Sequence, residues 1–282
     1  MKSFWAAQVG IILILQTRVV GLAYSIPKRT PKGFAIILNS LTQQRWTPGW
    51  KLNHYYTTQQ VYRFLSNSSL ANKPRTKDDY SNIGLGMLGQ ALSLKAGMPL
   101  DQLIKDRILN VLGMNSTGMA MNATGISIAE DIKSRFAKGH MAGDLVFLPQ
   151  AVRAAGAMYS TVNDLLKYLS ANMGLIGTKL NSAMDESHLI RHPFVEIQPT
   201  FIDSSGHKSP GHEYIGSVWL IGTDLGRQVV WHNAGIDGYS GIIGFNPAKQ
   251  TGLAILCSCY FTDVPPIEMI NTAMTFLRRP VF

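Results

Sequence analysis

Tyr80, Ser81 and Asn82 stand directly ahead of an apolar run, IGLGMLGQALSLKA, so that a phenol, a hydroxyl and a carboxamide open what the pattern reads as a helix. Ser and Asn both cap helix starts by accepting a backbone N–H, and Tyr is often half-buried with its hydroxyl satisfied. On these three residues alone, capping and chemistry are both open. A second stretch, WHNAGIDGYSGIIGFNP (residues 231–247), alternates His232 and Asn233 across a strand and follows them with small residues that let a ligand lie against the backbone.

The elements that must position these groups are legible from periodicity. Residues 54–66 read as a helix capped by Thr57 or Thr58, with Val61, Phe64 and Leu65 on one face. Asn82 to Ala96 is apolar nearly all round, which predicts a helix at the protein centre, stopped by Gly97. Pro99 opens another helix, with Leu100, Leu103, Ile104, Ile108, Val111 and Leu112 at helical spacing and Gly113 as its stop. A further helix near residues 160–174 has Ser160 or Thr161 as cap and Leu165, Leu166, Tyr168 and Leu169 as inner face. From residue 211 the period changes to short β-branched and aromatic runs between Gly and Asn-Pro turns, an antiparallel meander, and a Pro-started helix closes the chain. The fold class is α+β, an antiparallel sheet flanked by helices with a helical subdomain.

Composition narrows the function. With 282 residues, 46% hydrophobic and 15% charged, the chain can bury a large core. The formal charge of +9 is carried at one end: residues 1–77 hold eleven Lys/Arg and no Asp or Glu, and the rest nets −2. A nearly neutral main body argues against nucleic-acid binding. Residues 1–23, with basic Lys2, an apolar stretch from Phe4 to Leu15 and small Gly21 and Ala23, read as a signal or apolar segment, so export or membrane association through this segment is expected. Residues 24–53 form an atypical basic segment, and 54–282 the main domain. Cys257 and Cys259 lie two apart in a strand-like run, where a mutual disulfide would be strained, and read as buried thiols. The histidines have no metal-ligand spacing, so neither a metal nor an organic cofactor is implied. His188 and its like read as surface or hydrogen-bonded, and Trp219 and Trp231 as core.

Taken together, YSNIGLGMLGQAL, the two helices that come after it, LPQAVRAAGAMYSTVNDLLKYLSAN and HNAGIDGYSGIIGFNPAKQTGLAIL resemble the penicillin-recognising serine hydrolases: class C β-lactamases, D-alanyl-D-alanine carboxypeptidases and related esterases. In that superfamily an S-x-x-K serine attacks a carbonyl, a lysine and a tyrosine manage the proton, an asparagine holds the substrate amide, and a backbone N–H after the third motif binds the oxyanion. The resemblance implies Tyr80 as acid/base, Asn82 as amide holder, His232 as the third-motif polar residue and Gly235 as oxyanion donor, with Asn233 and Ala234 against the substrate. Ser25-Ile-Pro-Lys28 is the S-x-x-K that precedes Tyr80, making Ser25 and Lys28 the first-motif candidates. Pro31 and Gly33, a few residues on, oppose a helix there, and the N-terminal part reads as incomplete against the family pattern. Ala234 stands where the third motif has glycine. Two readings remain open: a serine hydrolase of β-lactam, D-Ala peptide or ester bonds, and a non-catalytic relative that binds a peptide, a cell-wall fragment or a protein. The partner is a small-molecule or peptide substrate, and no oligomeric state is implied.

Overall fold

The computed structural model describes residues 57–67, 69, 81–122, 125–126, 128–137, 150–193, 201–202, 208–209, 212–224, 227–236, 239–258 and 266–278. Its helix starts are set by short polar side chains. Thr57 caps α1 (Thr58–Ser66): its hydroxyl accepts from the N–H of Gln60, whose own side chain accepts the N–H of Thr57. Ser81 caps α2 (Asn82–Ala96) by accepting from the N–H of Gly84 at 2.9 Å. Gly97, at φ 66°, ends α2 in the left-handed conformation that glycine adopts without strain.

The all-round apolar pattern of α2 predicts burial throughout, but burial covers its first half, Asn82 to Gly86, and then Gly89 and Leu92, while Leu94 is 67% exposed. A fifteen-residue helix is about 22 Å long and leaves the core before it ends. The helix opened by Pro99 is also less regular than its spacing suggests. α3 (Leu100–Ile104) runs through a π-helical turn (Lys105–Leu109) into α4 (Asn110–Leu112). The wider turn rotates the residues at its end and beyond, so Leu109 is buried while Val111 and Leu112 are half-buried.

Beyond α5 (Glu130–Lys133), a 3₁₀ turn (Gln150–Ala155) packs on α2, and Gly89 makes this approach possible. A Cβ at position 89 would lie 2.4 Å from the Cβ of Ala154. Gly89→Ala is therefore expected to destabilise by about 2 kcal/mol, as overpacking against a rigid neighbour does, measured by denaturant unfolding. An unchanged midpoint would mean that the 3₁₀ turn yields freely.

α6 (Val162–Asn172) is capped by Thr161 and buries Leu165, Tyr168, Leu169 and Asn172. Leu166, expected on the inner face, is 41% exposed because that stripe lies about 100° away from it around the helix. α7 (Asn181–Ser187) comes next, and then the main sheet: β1 (His192–Pro193), β2 (His212–Ile215), β3 (Leu220–Asp224), β4 (Arg227–Ile236), β5 (Tyr239–Asn246) and β6 (Thr251–Cys257). These six strands are hydrogen-bonded in chain order, each antiparallel to the next, the meander that the turn residues predict. α8 (Pro266–Arg278) closes the described chain.

Strand alternation sends neighbouring residues to different cores. Leu220, Val229, Trp231 and Ile242 pack with Met269, Ile270, Ala273, Met274 and Leu277 of α8. Ile221, Val230, Ile243 and Phe245 join Leu85 and Leu92 of α2, residues of α3 and α6, and Trp219 on the other face. The result is a sheet between α8 and a helical layer.

Cys257 corrects a sequence expectation: it is disulfide-bonded and half-buried, not a buried thiol. β6 ends at Cys257, and Cys259 lies outside the described residues. Met114 and Met119 belong to the main core, and among the described residues no cluster of His, Cys, Asp or Glu could hold a metal. No described helix is long and apolar enough to cross a membrane, and residues 1–23 lie outside the described residues.

Candidate active site

The capping question posed by Ser81 and Asn82 has a definite answer. Ser81 supplies the cap, and Asn82 is the first residue of α2, buried at 4% exposure. Its carboxamide is not needed to start the helix. One turn further, Leu85 enters the same core as Val230 and Ile243, so the start of α2 and the helix-facing side of β4 and β5 are parts of one packed unit.

His232 is on that side. It pairs with Ile243 across the ladder and is buried at 6% exposure. Its Nδ1 lies 2.6 Å from the carbonyl oxygen of Asn233. A carbonyl oxygen only accepts, so Nδ1 carries a proton and donates it to the backbone of its own strand. Ala234 shares the face of His232, whereas Asn233 and Gly235 alternate to the side of α8. A contact from Asn233 or Gly235 to a ligand is thus made along the strand, through backbone groups or past its edge. β3 pairs with β4 only as far as Trp231 with Leu220, and beyond that point the described ladder of β4 is with β5.

Three sequence candidates, Tyr80, Ser25 and Lys28, lie outside the described residues. Asn82, His232 and Ala234 are on elements that share the main core, and Gly235 is one strand position on. Sequence reasoning did not single out Tyr239, Gly241 or Leu256, which lie on the face of His232 and Ala234. The alternation of Tyr239, Gly241 and Ile243 in YSGIIGF was the available signal.

The architecture is an antiparallel sheet between a terminal helix and a helical layer. A solved class C β-lactamase has the same fold at TM-score 0.66 and 17% identity, over 98% of this chain and 69% of its own. The Beta-lactamase family profile matches residues 40–269, and the chain belongs to this family. Among curated relatives, Beta-lactamase-like protein 4 of Dictyostelium discoideum is 25% identical over 232 residues, 77% of this chain and 38% of that protein. The D-alanyl-D-alanine-carboxypeptidase/endopeptidase AmpH of Escherichia coli K12 is 26% identical over 203 residues, 71% of this chain and 50% of that protein. The chain thus spans half or less of the length of these relatives. The family match begins downstream of Ser25 and Lys28.

Proposed function

We propose that the chain is a serine hydrolase acting on a β-lactam, a D-Ala peptide or an ester, with Tyr80, Asn82, His232 and Gly235 around the reacting carbonyl. In this reading a serine oxygen bonds to the carbonyl carbon, the C–N or C–O bond breaks, the leaving group takes the proton, and water then cleaves the acyl-enzyme. The observation that carries it is the placement of Asn82, buried behind the Ser81 cap at the start of α2, on a helix sharing its core with the His232 face of the sheet. Export or membrane association through residues 1–23 belongs to the same reading.

Labelling with a fluorescent penicillin and a fluorophosphonate, followed by peptide mapping, tests it. One labelled serine is expected, and label at Ser25 that disappears in Ser25→Ala would identify the nucleophile. Asn82→Ala is expected to slow labelling roughly tenfold or more, the loss of one buried amide hydrogen bond to the substrate. A second reading, a non-catalytic relative that binds a peptide, a cell-wall fragment or a protein, is favoured by the family match starting after Ser25 and by Pro31 and Gly33. A folded protein with no labelled serine would select it.

A further inference from the structure

Asn115-Ser116-Thr117 is an Asn-x-Thr triplet, the acceptor pattern for N-linked glycans, and it lies wholly within the described residues. Two further triplets, Asn67-Ser68-Ser69 and Asn122-Ala123-Thr124, run through residues outside them. Such triplets also arise by chance, so the place in the fold decides what this one is worth. Gly113, at φ 64°, ends α4, and the N–H of Thr117 donates to the carbonyl of Met114 at 3.3 Å, which puts Asn115 and Ser116 at the corners of a β-turn. The turn is anchored at its base. Met114 sits in the main core at 1% exposure, and the Ser116 N–H and the Thr117 hydroxyl both donate to Asp164 Oδ2. Asn115 itself is exposed. A turn fixed from below with its asparagine at the surface can carry a bulky hydrophilic group without displacing packed side chains.

The donor for such a modification is an oligosaccharide activated as a lipid diphosphate. The side-chain nitrogen of Asn115 bonds to the anomeric carbon, and the bond from that carbon to the phosphate oxygen breaks. The lipid diphosphate leaves with the electron pair, and the nitrogen gives up one proton to a base of the transferase. The transferase must also reach the hydroxyl at the third position of the triplet. In the folded chain that hydroxyl is enclosed: Thr117 is 9% exposed, and its Oγ1 lies 2.8 Å from Ser160 Oγ and 2.9 Å from Asp164 Oδ2. Those partners stand 43 and 47 residues further along the chain. During synthesis the triplet therefore emerges before the groups that will enclose its threonine. Folding then closes over Thr117 and leaves the asparagine at the surface.

We infer that Asn115 is an N-glycosylation site, modified on the nascent chain in a secretory compartment that holds the transferase. The inference rests on the reading of residues 1–23 as an export segment, since the acceptor meets the transferase only after the chain has crossed a membrane.

The test translates the full chain in the presence of endoplasmic-reticulum microsomes, as wild type, as Asn115→Gln, and behind an unrelated cleavable signal peptide. Wild type is expected to shift up in mass and to lose the shift on endoglycosidase treatment, and Asn115→Gln to lose one glycan step. Enzymatic release of the glycan in heavy-oxygen water is expected to leave the Asn115 peptide with a labelled aspartate in place of the asparagine. This peptide measurement on the wild type holds whichever other triplet is occupied and whether or not the variant folds. A protease-protected chain in the microsome lumen with Asn115 unmodified overturns the inference. Modification seen only behind the added signal upholds the acceptor and sinks the export reading. Chain folded first and then offered to solubilised transferase with its lipid-linked donor should stay unmodified at Asn115. Equal modification of folded and nascent chain would overturn the order of events.

Discussion

Replacing Asp164 by alanine is expected to destabilise the fold by about 3 kcal/mol, because it takes a shared acceptor away from donors in a buried spot. Oδ2 of Asp164 accepts from the N–H of Ser116 at 2.8 Å and the hydroxyl of Thr117 at 2.9 Å, while Oδ1 accepts from Lys167 Nζ at 2.9 Å. Burial by itself would raise the pKa of this carboxyl. The hydrogen bonds from Lys167, Ser116 and Thr117, with the Lys167 charge, outweigh it and hold the group below the usual carboxylate value of 3.8. The Lys167 side chain is 42% exposed, so its ion pair is screened, and Lys167→Ala should cost no more than about 1 kcal/mol. The two variants separate the effects. Urea unfolding that finds them equal would show the ion pair, and not the stranded donors, to be the larger contribution.

Lowering the pH from 7 to 4 is expected to remove roughly 3 kcal/mol of stability through one residue, His188. Its half-buried ring packs between Trp219 and Phe245, with centroids 5.9 and 5.0 Å away, and its Nε2 lies 2.9 Å from Oδ1 of Asn172. Asn172 Nδ2 donates to the carbonyl of Tyr168 at 2.8 Å, which leaves Oδ1 to accept, so the neutral ring carries its proton on Nε2. Desolvation pushes the pKa down from 6.5 to about 4. Below pH 6.5 the unfolded chain binds a proton that the folded chain refuses until about pH 4, so the stability present above pH 6.5 is lost across that window. Asp164 adds its own loss only further down, below the usual carboxylate range. His188→Gln, which does not titrate and keeps a donor toward Asn172, should flatten the dependence between pH 6.5 and 4 in denaturant unfolding. An equal slope in wild type and variant would refute the assignment to His188.

Much of the frame was legible in the chain because local chemistry decides it. Thr57, Thr161, Gly97 and Gly113 mark helix ends through caps and backbone preference, and the described helices start or stop at those residues. The meander was legible because each strand pairs with its neighbour in sequence. The errors came where burial depends on a partner far away in the chain. Leu166 and Leu94 are as apolar as their buried neighbours, but no described element covers them fully. Val111 lost its expected place to Leu109 because a π-helical turn, which no simple residue period announces, rotates the stripe. Cys257 is disulfide-bonded where the extrapolated alternation argued for a thiol.

For the site the division is sharper. The sequence by itself determined that Ser81, Asn82 and His232 occupy a helix start and a strand, since spacing and residue type are local properties. Only the tertiary structure decided that Ser81 does the capping, that Asn82 is buried beside a core shared with the sheet, and that His232 faces that core while Asn233 faces away from it. The row of Ala234, Gly241 and Leu256 beside His232 belongs wholly to the fold, because ladder register brings residues of three strands together. Register is fixed by which residues each core can bury, and a single strand does not carry that information.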